Sequence, residues 1–282
     1  MRMKKIFLIS GTLFMIFAAG CGKVRGNEGS EEGKKDNVTT IEQPVNTKEP
    51  ESTMNPENGE ELSEKWTVSF KEETDEAKEE DTVYFTSKLY YPFFEGDGAE
   101  KMNSFVDTVT TRFREYLPGA KERALMDFHD YSGQDYFRFP EVEELTVNIV
   151  MGNEKWLSFY SQWYSDAGGV HPSHYSEAYM VKKEDAQELT IEEFLSGYGV
   201  SKEELAVYVA EKMCAETEFD LKEVLLVESL PDAVSDFLDG HQWYLTEEEL
   251  VVFANPYDVA PYVYGLISCK ISFEDLEQGL KK

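Results

Sequence analysis

Cations are scarce in this chain. Its 282 residues hold 27 Lys and Arg against 56 Asp and Glu, a formal charge of −29 at pH 7. A field of that sign repels nucleic acid and anionic headgroups and speeds encounter with cationic partners. Nucleic acid is therefore excluded as a partner and a basic protein is favoured, although such a surface also serves solubility alone. Histidine is scarcer still, with four residues. His171 and His174 are three apart, but Pro172 between them disfavours the helix that would aim both rings at one metal. No nearby carboxylate or cysteine pattern completes a ligand set, so neither a metal nor a cofactor is expected. His129 and His241 read as loop residues. A Gly-x-Ser-x-Gly elbow and a Gly-rich phosphate loop are both missing. No catalytic residue is assigned, and the chain leans away from being an enzyme. Acidic pairs such as Glu143-Glu144 and Glu192-Glu193 are expected by chance among 56 acids, and a glycosidase pair is recognised by a spatial separation that sequence does not give.

Cysteine is nearly absent, with three residues, and one of them is placed with purpose. Arg2, Lys4 and Lys5 precede an apolar run from Ile6 through Phe17 that ends in Ala18-Ala19-Gly20-Cys21. A basic start, a short apolar stretch and small residues at a cleavage point make a secretory signal. About a dozen apolar residues are too few to cross ~30 Å of hydrocarbon. The arrangement resembles the bacterial lipobox, with Ala18 where that pattern prefers a larger aliphatic residue. It implies diacylglycerol on the Cys21 thiol, palmitate-type acylation, and a chain tethered to the outer face of the bacterial membrane. The alternative is an ordinary signal with a chance cysteine. Losing the three cations of residues 1–20 would take the charge from −29 to −32. Cys214 and Cys269 could pair in an oxidising exterior. Both also fall in apolar periodic contexts that suit buried small residues, so the disulfide is left open.

Three segments follow from composition. Residues 1–20 are the signal. Residues 21–64 are a disordered acidic stalk, with too little apolar surface to offset the entropy of ordering and a random-coil reach of roughly 35 Å. Residues 65–282 are the globular part, where most of the 18 Phe, 16 Tyr and 4 Trp lie. Alternation predicts strands at Trp66–Phe70 and Thr82–Tyr91, broken by Tyr91-Pro92 and Gly96-Asp97-Gly98. Met102, Phe105, Val106, Val109, Phe113 and Leu117 recur at helical spacing from Ala99, and Pro118-Gly119 ends that helix. Leu145–Met151 and Trp156–Tyr164 flank a turn at 152–155, and Tyr175–Val181 continues the sheet. Thr190-Ile191-Glu192-Glu193 and Ser201-Lys202-Glu203-Glu204 both fit the capping box, the second opening a helix to about Cys214. A short helix follows at Pro231–Leu238, then paired strands at Gln242–Leu245 and Leu250–Ala254 around Thr246-Glu247-Glu248-Glu249, a tetrapeptide that could instead cap a helix, and a last strand from Val263 to about Ile271. The fold class is α+β, a mostly antiparallel sheet packed with a few helices and preceded by the stalk.

Several stretches carry a resemblance. Gly168-Gly169-Val170-His171-Pro172 follows an aromatic strand. Leu189-Thr190-Ile191-Glu192-Glu193-Phe194-Leu195 comes next, and Trp243-Tyr244-Leu245-Thr246 leads into Phe253-Ala254-Asn255-Pro256-Tyr257-Asp258-Val259-Ala260-Pro261-Tyr262. Together with Tyr90-Tyr91-Pro92 and Met102-Asn103 these resemble the extracytoplasmic domain of RsiV-like anti-sigma factors, from about Trp66 to the C-terminus. The resemblance implies an outside location and a lysozyme-binding fold. The cytoplasmic sigma-binding segment and transmembrane helix of those factors are not seen in this chain, nor is the catalytic domain of the deacetylases that share the module. The expectation is a non-catalytic binding or sensing module for lysozyme or another cationic wall-active protein. A peptidoglycan enzyme or glycan-binding accessory, and a structural envelope lipoprotein, are the alternatives. Gly168, Gly169, His171, Tyr175, Pro256, Tyr257, Pro261 and Tyr262 are the candidate binding or turn-forming residues. Their rings are either exposed anchors or turn-shaping parts of the core.

Overall fold

A computed structural model describes residues 61–63, 66–134 and 136–281. The signal, Cys21 and nearly all of the expected stalk lie outside the described residues. Six strands form one sheet in the order β1-β2-β3-β4-β5-β6: Glu61–Ser63, Trp66–Glu79, Thr82–Gly96, Glu141–Gly152, Trp156–Asp166 and Ser173–Lys182. Three more, β7 (Trp243–Leu245), β8 (Glu249–Ala254) and β9 (Ile267–Ser272), form a second sheet. Every pairing is antiparallel except β3 with β4. Parallel neighbours require a long crossover, and helix α1 (Ala99–Tyr131) supplies it. The α+β class and its mostly antiparallel sheet are as the sequence predicts.

Alternation along β4, β5 and β6 sorts the core into two layers. Leu145, Val147, Leu157, Phe159 and Tyr179 face α1 and meet Met102, Val106 and Phe113. Tyr160, Ala178 and Met180 face the other way, toward the second sheet and helices α2 (Ile191–Leu195), α3 (Lys202–Glu216), α4 (Leu221–Val224) and α5 (Leu230–Asp239). Tyr160 meets Tyr244 at 5.6 Å and Phe253 at 5.7 Å between ring centroids. Both capping boxes form, at Thr190 and at Ser201. A final helix, α6 (Phe273–Glu277), and α4 carry no expectation from the sequence.

Three expectations need correction. The helix expected to stop at Pro118-Gly119 runs on to Tyr131. Proline removes one hydrogen bond from the ladder, yet the buried stripe Met102, Val106, Thr110, Phe113 continues at helical spacing to Ala120 and Ala124, which pack with Tyr84 and Phe85. Second, Tyr91-Pro92 does not break β3. Pro92 pairs with Phe70 of β2 beyond the Phe85–Tyr90 stretch that pairs with β4, so it sits where the strand has one neighbour and a missing donor is tolerated. Third, the last strand begins at Ile267, because Tyr262–Tyr264 forms a 3-10 turn and Gly265 reverses the chain at φ 67°.

Basic side chains are placed along α1. Arg114, Lys121 and His129 meet Glu73, Asp75 and Glu79 of β2, a ladder that fastens the helix along the hairpin. Among the described residues no helix is long and apolar enough to cross a membrane.

Candidate binding face

The loop between β5 and β6 is held by its first glycine. Gly168 adopts φ 72°, and a Cβ there would lie 2.3 Å from Phe137 Cε1 and 2.7 Å from the Arg138 carbonyl. Only glycine fits. The Gly168 amide donates to Asp166 Oδ1 at 3.1 Å, and the Arg138 guanidinium donates to the Gly169 carbonyl at 3.2 Å and to Asp166 at 3.4 Å. Gly169 has open space around its Cα and no positive φ, so one glycine of the pair carries the turn.

The loop between β8 and β9 is held by Asn255, which is 3% exposed. Its Oδ1 accepts from the Ser176 amide at 2.7 Å and its Nδ2 donates to the Ser176 carbonyl at 3.0 Å. One side chain thereby takes the place of a neighbouring strand on the outer edge of β6. Asp258 returns the chain. Its amide donates to the Asn255 carbonyl at 3.0 Å, and its Oδ2 accepts from the Asn255 amide at 2.7 Å and from Gln242 Nε2 at 2.6 Å. Burial pushes the Asp258 carboxyl up, against the pull of those donors. Pro256 thus sits second in a four-residue turn, and Tyr257 third at φ 74°. That is the type II geometry, in which glycine is the usual third residue.

The two loops meet. The His171 ring stacks on Tyr262 with centroids 4.0 Å apart and planes 19° apart, while Tyr257 Oη lies 3.5 Å from His171 Nε2. His171 also bonds locally, Nδ1 to the Pro172 carbonyl at 2.8 Å, so it contacts its own loop and reaches the other as well. Tyr257 is 57% exposed, and Val170 and Val263, next in sequence to His171 and Tyr262, are 98% and 63% exposed. Partial burial pushes the Tyr262 hydroxyl up, with Tyr164, Tyr257 and Asp166 adding to the effect. Through Tyr164 the cluster continues onto the sheet face turned away from α1. Lys88, Glu144, Tyr164 and His174 form one row across β3 to β6, and Glu72, Tyr90, Thr146 and Gln162 form the next across β2 to β5. Tyr90 stacks on Phe70 at 5.0 Å, and Tyr164 meets His174 edge-on at 5.1 Å.

Tyr175 does not join this cluster. It pairs with Trp163, whose ring packs on Phe113 and Tyr116 of α1, so alternation sends Tyr175 to the opposite face from His174. It is 45% exposed there, on the same side as Glu177 and Tyr179. Pro261 starts the turn that presents Tyr262. His171 and His174 point to different aromatic partners; His129, expected in a loop, lies in the last turn of α1 beside Glu79, and His241 lies in the turn before β7 beside Glu188. Cys214 and Cys269 are both free thiols, with burial pushing Cys269 up to about 12. Sequence reasoning missed Asn255 as the clamp and treated Glu143-Glu144 as one pair. The strand separates them, Glu143 buried toward α1 and Glu144 exposed on the open face.

Comparison with known proteins places part of this architecture. Residues 178–274 match the family model described as a protein of unknown function, DUF3298. The matched DUF3298 region runs from mid-β6 into α6 and contains Asn255, Tyr257 and Tyr262. His171 and Gly168 lie just ahead of it. A DUF3298 family protein from Pseudomonas aeruginosa is similar in structure, with a TM-score of 0.51, 12% identity, and coverage of 76% of this chain and 94% of that one. A member of the DUF3298 family from Bacteroides fragilis has a TM-score of 0.49 at 13% identity, covering 75% of this chain and 93% of the other. At such identities the Pseudomonas likeness speaks for the fold alone. No curated protein matches the chain.

Proposed function

We propose that this chain is a non-catalytic binding or sensing module. It is carried on the outer face of a bacterial membrane by lipid on Cys21, and it takes lysozyme or another basic wall-active protein at the His171, Tyr257 and Tyr262 cluster. The observation that carries the reading is Tyr257. A large aromatic ring is presented to solvent from a backbone position that favours glycine, and strain of that kind persists where it serves a contact. Tyrosines bring area and a polar tip to binding surfaces, and three aromatic rings from two loops held rigid by Gly168 and Asn255 make a preorganised anchor. The cationic partner follows from the charge of −29 and from the RsiV-like resemblance. Calorimetric titration with a lysozyme at low salt checks it. Binding should appear and weaken steadily as salt rises, since the field is screened over roughly 10 Å at 0.1 M. No heat of binding at low salt would remove the basic-protein reading.

A glycan-binding accessory is the second reading, favoured by the half-exposed Tyr90 and Tyr164 on the open sheet face. Retention on purified peptidoglycan, insensitive to salt, would support it. The tether has its own check. Incorporation of labelled fatty acid should be lost in Cys21→Ala, and persistence of the label would place the lipid elsewhere.

A further inference from the structure

Two carboxylates are buried where α1 crosses the start of β4. Glu141 and Glu143 both face the helix and are each 1% exposed. Glu143 is fully provided for. Its Oε1 accepts from Tyr116 Oη at 3.0 Å and from Ser165 Oγ at 2.9 Å, and its Oε2 accepts from Trp163 Nε1 at 2.9 Å. Glu141 finds no donor at either oxygen while both neighbouring acids are ionised, and the Asp127 carboxyl lies close enough to share a hydrogen bond with it once one of the two carries a proton. One guanidinium serves both acids, with Arg123 Nη2 at 3.7 Å from Glu141 and 3.5 Å from Glu143, and the same group donates to Tyr116 Oη at 3.1 Å. Asp127, one helical turn beyond Arg123, adds a negative charge beside Glu141.

The surroundings of Glu141 are therefore Arg123, Asp127 and Tyr116 from α1 and Glu143 from its own strand. From β3 come Phe85 in register with it and Ser87 in register with Glu143, and from β5 come Trp163 and Ser165. One shared cation faces three acids. Ionising Glu141 costs desolvation with no hydrogen bond in return. Burial foremost, and then Asp127 and Glu143, push its carboxyl up to about 7, with Arg123 pulling the other way.

What this carboxyl touches leads to the binding face. Pro118 interrupts the hydrogen-bond ladder of α1 ahead of Arg123. Beyond it Ala120 and Ala124 pack on Tyr84 and Phe85, and Phe128 meets Phe139 at 5.3 Å. Phe139 meets Phe137 at 4.9 Å, Phe137 stacks on Tyr131 at 5.0 Å, and Phe137 lies against Gly168. Arg138 then bonds the loop that carries His171. We propose that a proton on Glu141 locks the second half of α1 and residues 136–140 against the sheet, and that losing it loosens them together with the His171 loop, so that the binding face is gated by pH. The lock stands on the buried cluster alone. The gating step rests on the binding reading above.

The test uses the purified full chain. Hydrogen-exchange protection of residues 119–131 and 136–140, corrected for intrinsic rates, should fall about tenfold per pH unit while one proton is released. The fall should come between about pH 5 and 7 and level off above that range, and Glu141→Gln should abolish it. An equal fall in Glu141→Gln, or none in the parent chain, overturns the lock. Should Glu141→Gln not fold, Asp127→Asn carries the same test. Removing that neighbouring charge should move the midpoint to lower pH, and an unmoved midpoint overturns the proposal. For gating, lysozyme is the probe. Its affinity should be higher at pH 6 than at pH 8 in the parent chain and flat in Glu141→Gln, whereas the same pH dependence in both overturns gating. Absence of lysozyme binding at both pH values defeats the binding reading and gating together, while the exchange result still decides the lock.

Discussion

Two asparagines perform one task in this molecule. Asn103 accepts from the Phe94 amide at 2.9 Å and donates to the Phe94 carbonyl at 2.8 Å, as Asn255 does for Ser176. Each side chain stands in for a strand where the sheet has none. Asn255→Ala would strand a buried donor and a buried acceptor, a loss of about 2–6 kcal/mol at 1–3 kcal/mol per unsatisfied group, and a lowered melting temperature would register it. Gly168→Ala should destabilise the chain by a similar order, since its Cβ has nowhere to go and its φ is positive. Tyr257→Gly should act in the other direction. Relief of an αL side chain is worth about 1 kcal/mol, so the variant should melt no lower than the parent while binding worse. Of these residues the sequence made Gly168 legible, because a Gly-Gly step marks a turn. Asn255 looked like one more turn asparagine, since its partner Ser176 is 79 positions away and nothing local announces the pairing.

At the scale of elements, α1 shows what propensity hides. A proline is the strongest local stop signal, and Ala120 and Ala124 are too small to look like a core stripe. Their small size is what lets the helix lie close to Tyr84 and Phe85. Pro118→Ala restores one ladder hydrogen bond and should raise stability by roughly 1–3 kcal/mol, with a higher denaturant midpoint as the readout. No gain would mean that the interrupted ladder itself is needed for packing. The strands from β4 to β8 were legible because alternation and turn residues agreed, and both capping boxes were legible because they are local. The outer length of β2, from Lys71 to Glu79, was not, because its acids and lysines carry no apolar alternation. Its alternate acids instead meet Arg114, Lys121 and His129 of α1, a tertiary pattern that sequence spacing does not display.

For the whole molecule, charge and protons set the behaviour. The unfolded Glu141 carboxyl releases its proton near the ordinary value of 4.5, and the folded one near 7. Between those values the unfolded state sheds the proton first, so stability falls as pH rises through the window and is level above it. The parent chain should therefore melt lower at pH 8 than at pH 6. Glu141→Gln should remove that contribution and be the more stable at pH 8, by on the order of 1–3 kcal/mol, as calorimetric scans would show. The site was half legible at this scale. The two loops were named from the sequence as the stretches of interest, and the fold brings them within 4.0 Å at His171 and Tyr262. Tyr175 was misplaced, because only the register of β5 with β6 fixes its face. The central claim is that exposed tyrosines at these loops anchor a basic protein, and Tyr257→Ala tests it most directly. Affinity for lysozyme should fall by about tenfold or more, the cost of about 1.4 kcal/mol or above expected of an anchor, with the melting temperature unchanged. Unchanged affinity in a variant as stable as the parent would contradict the assignment.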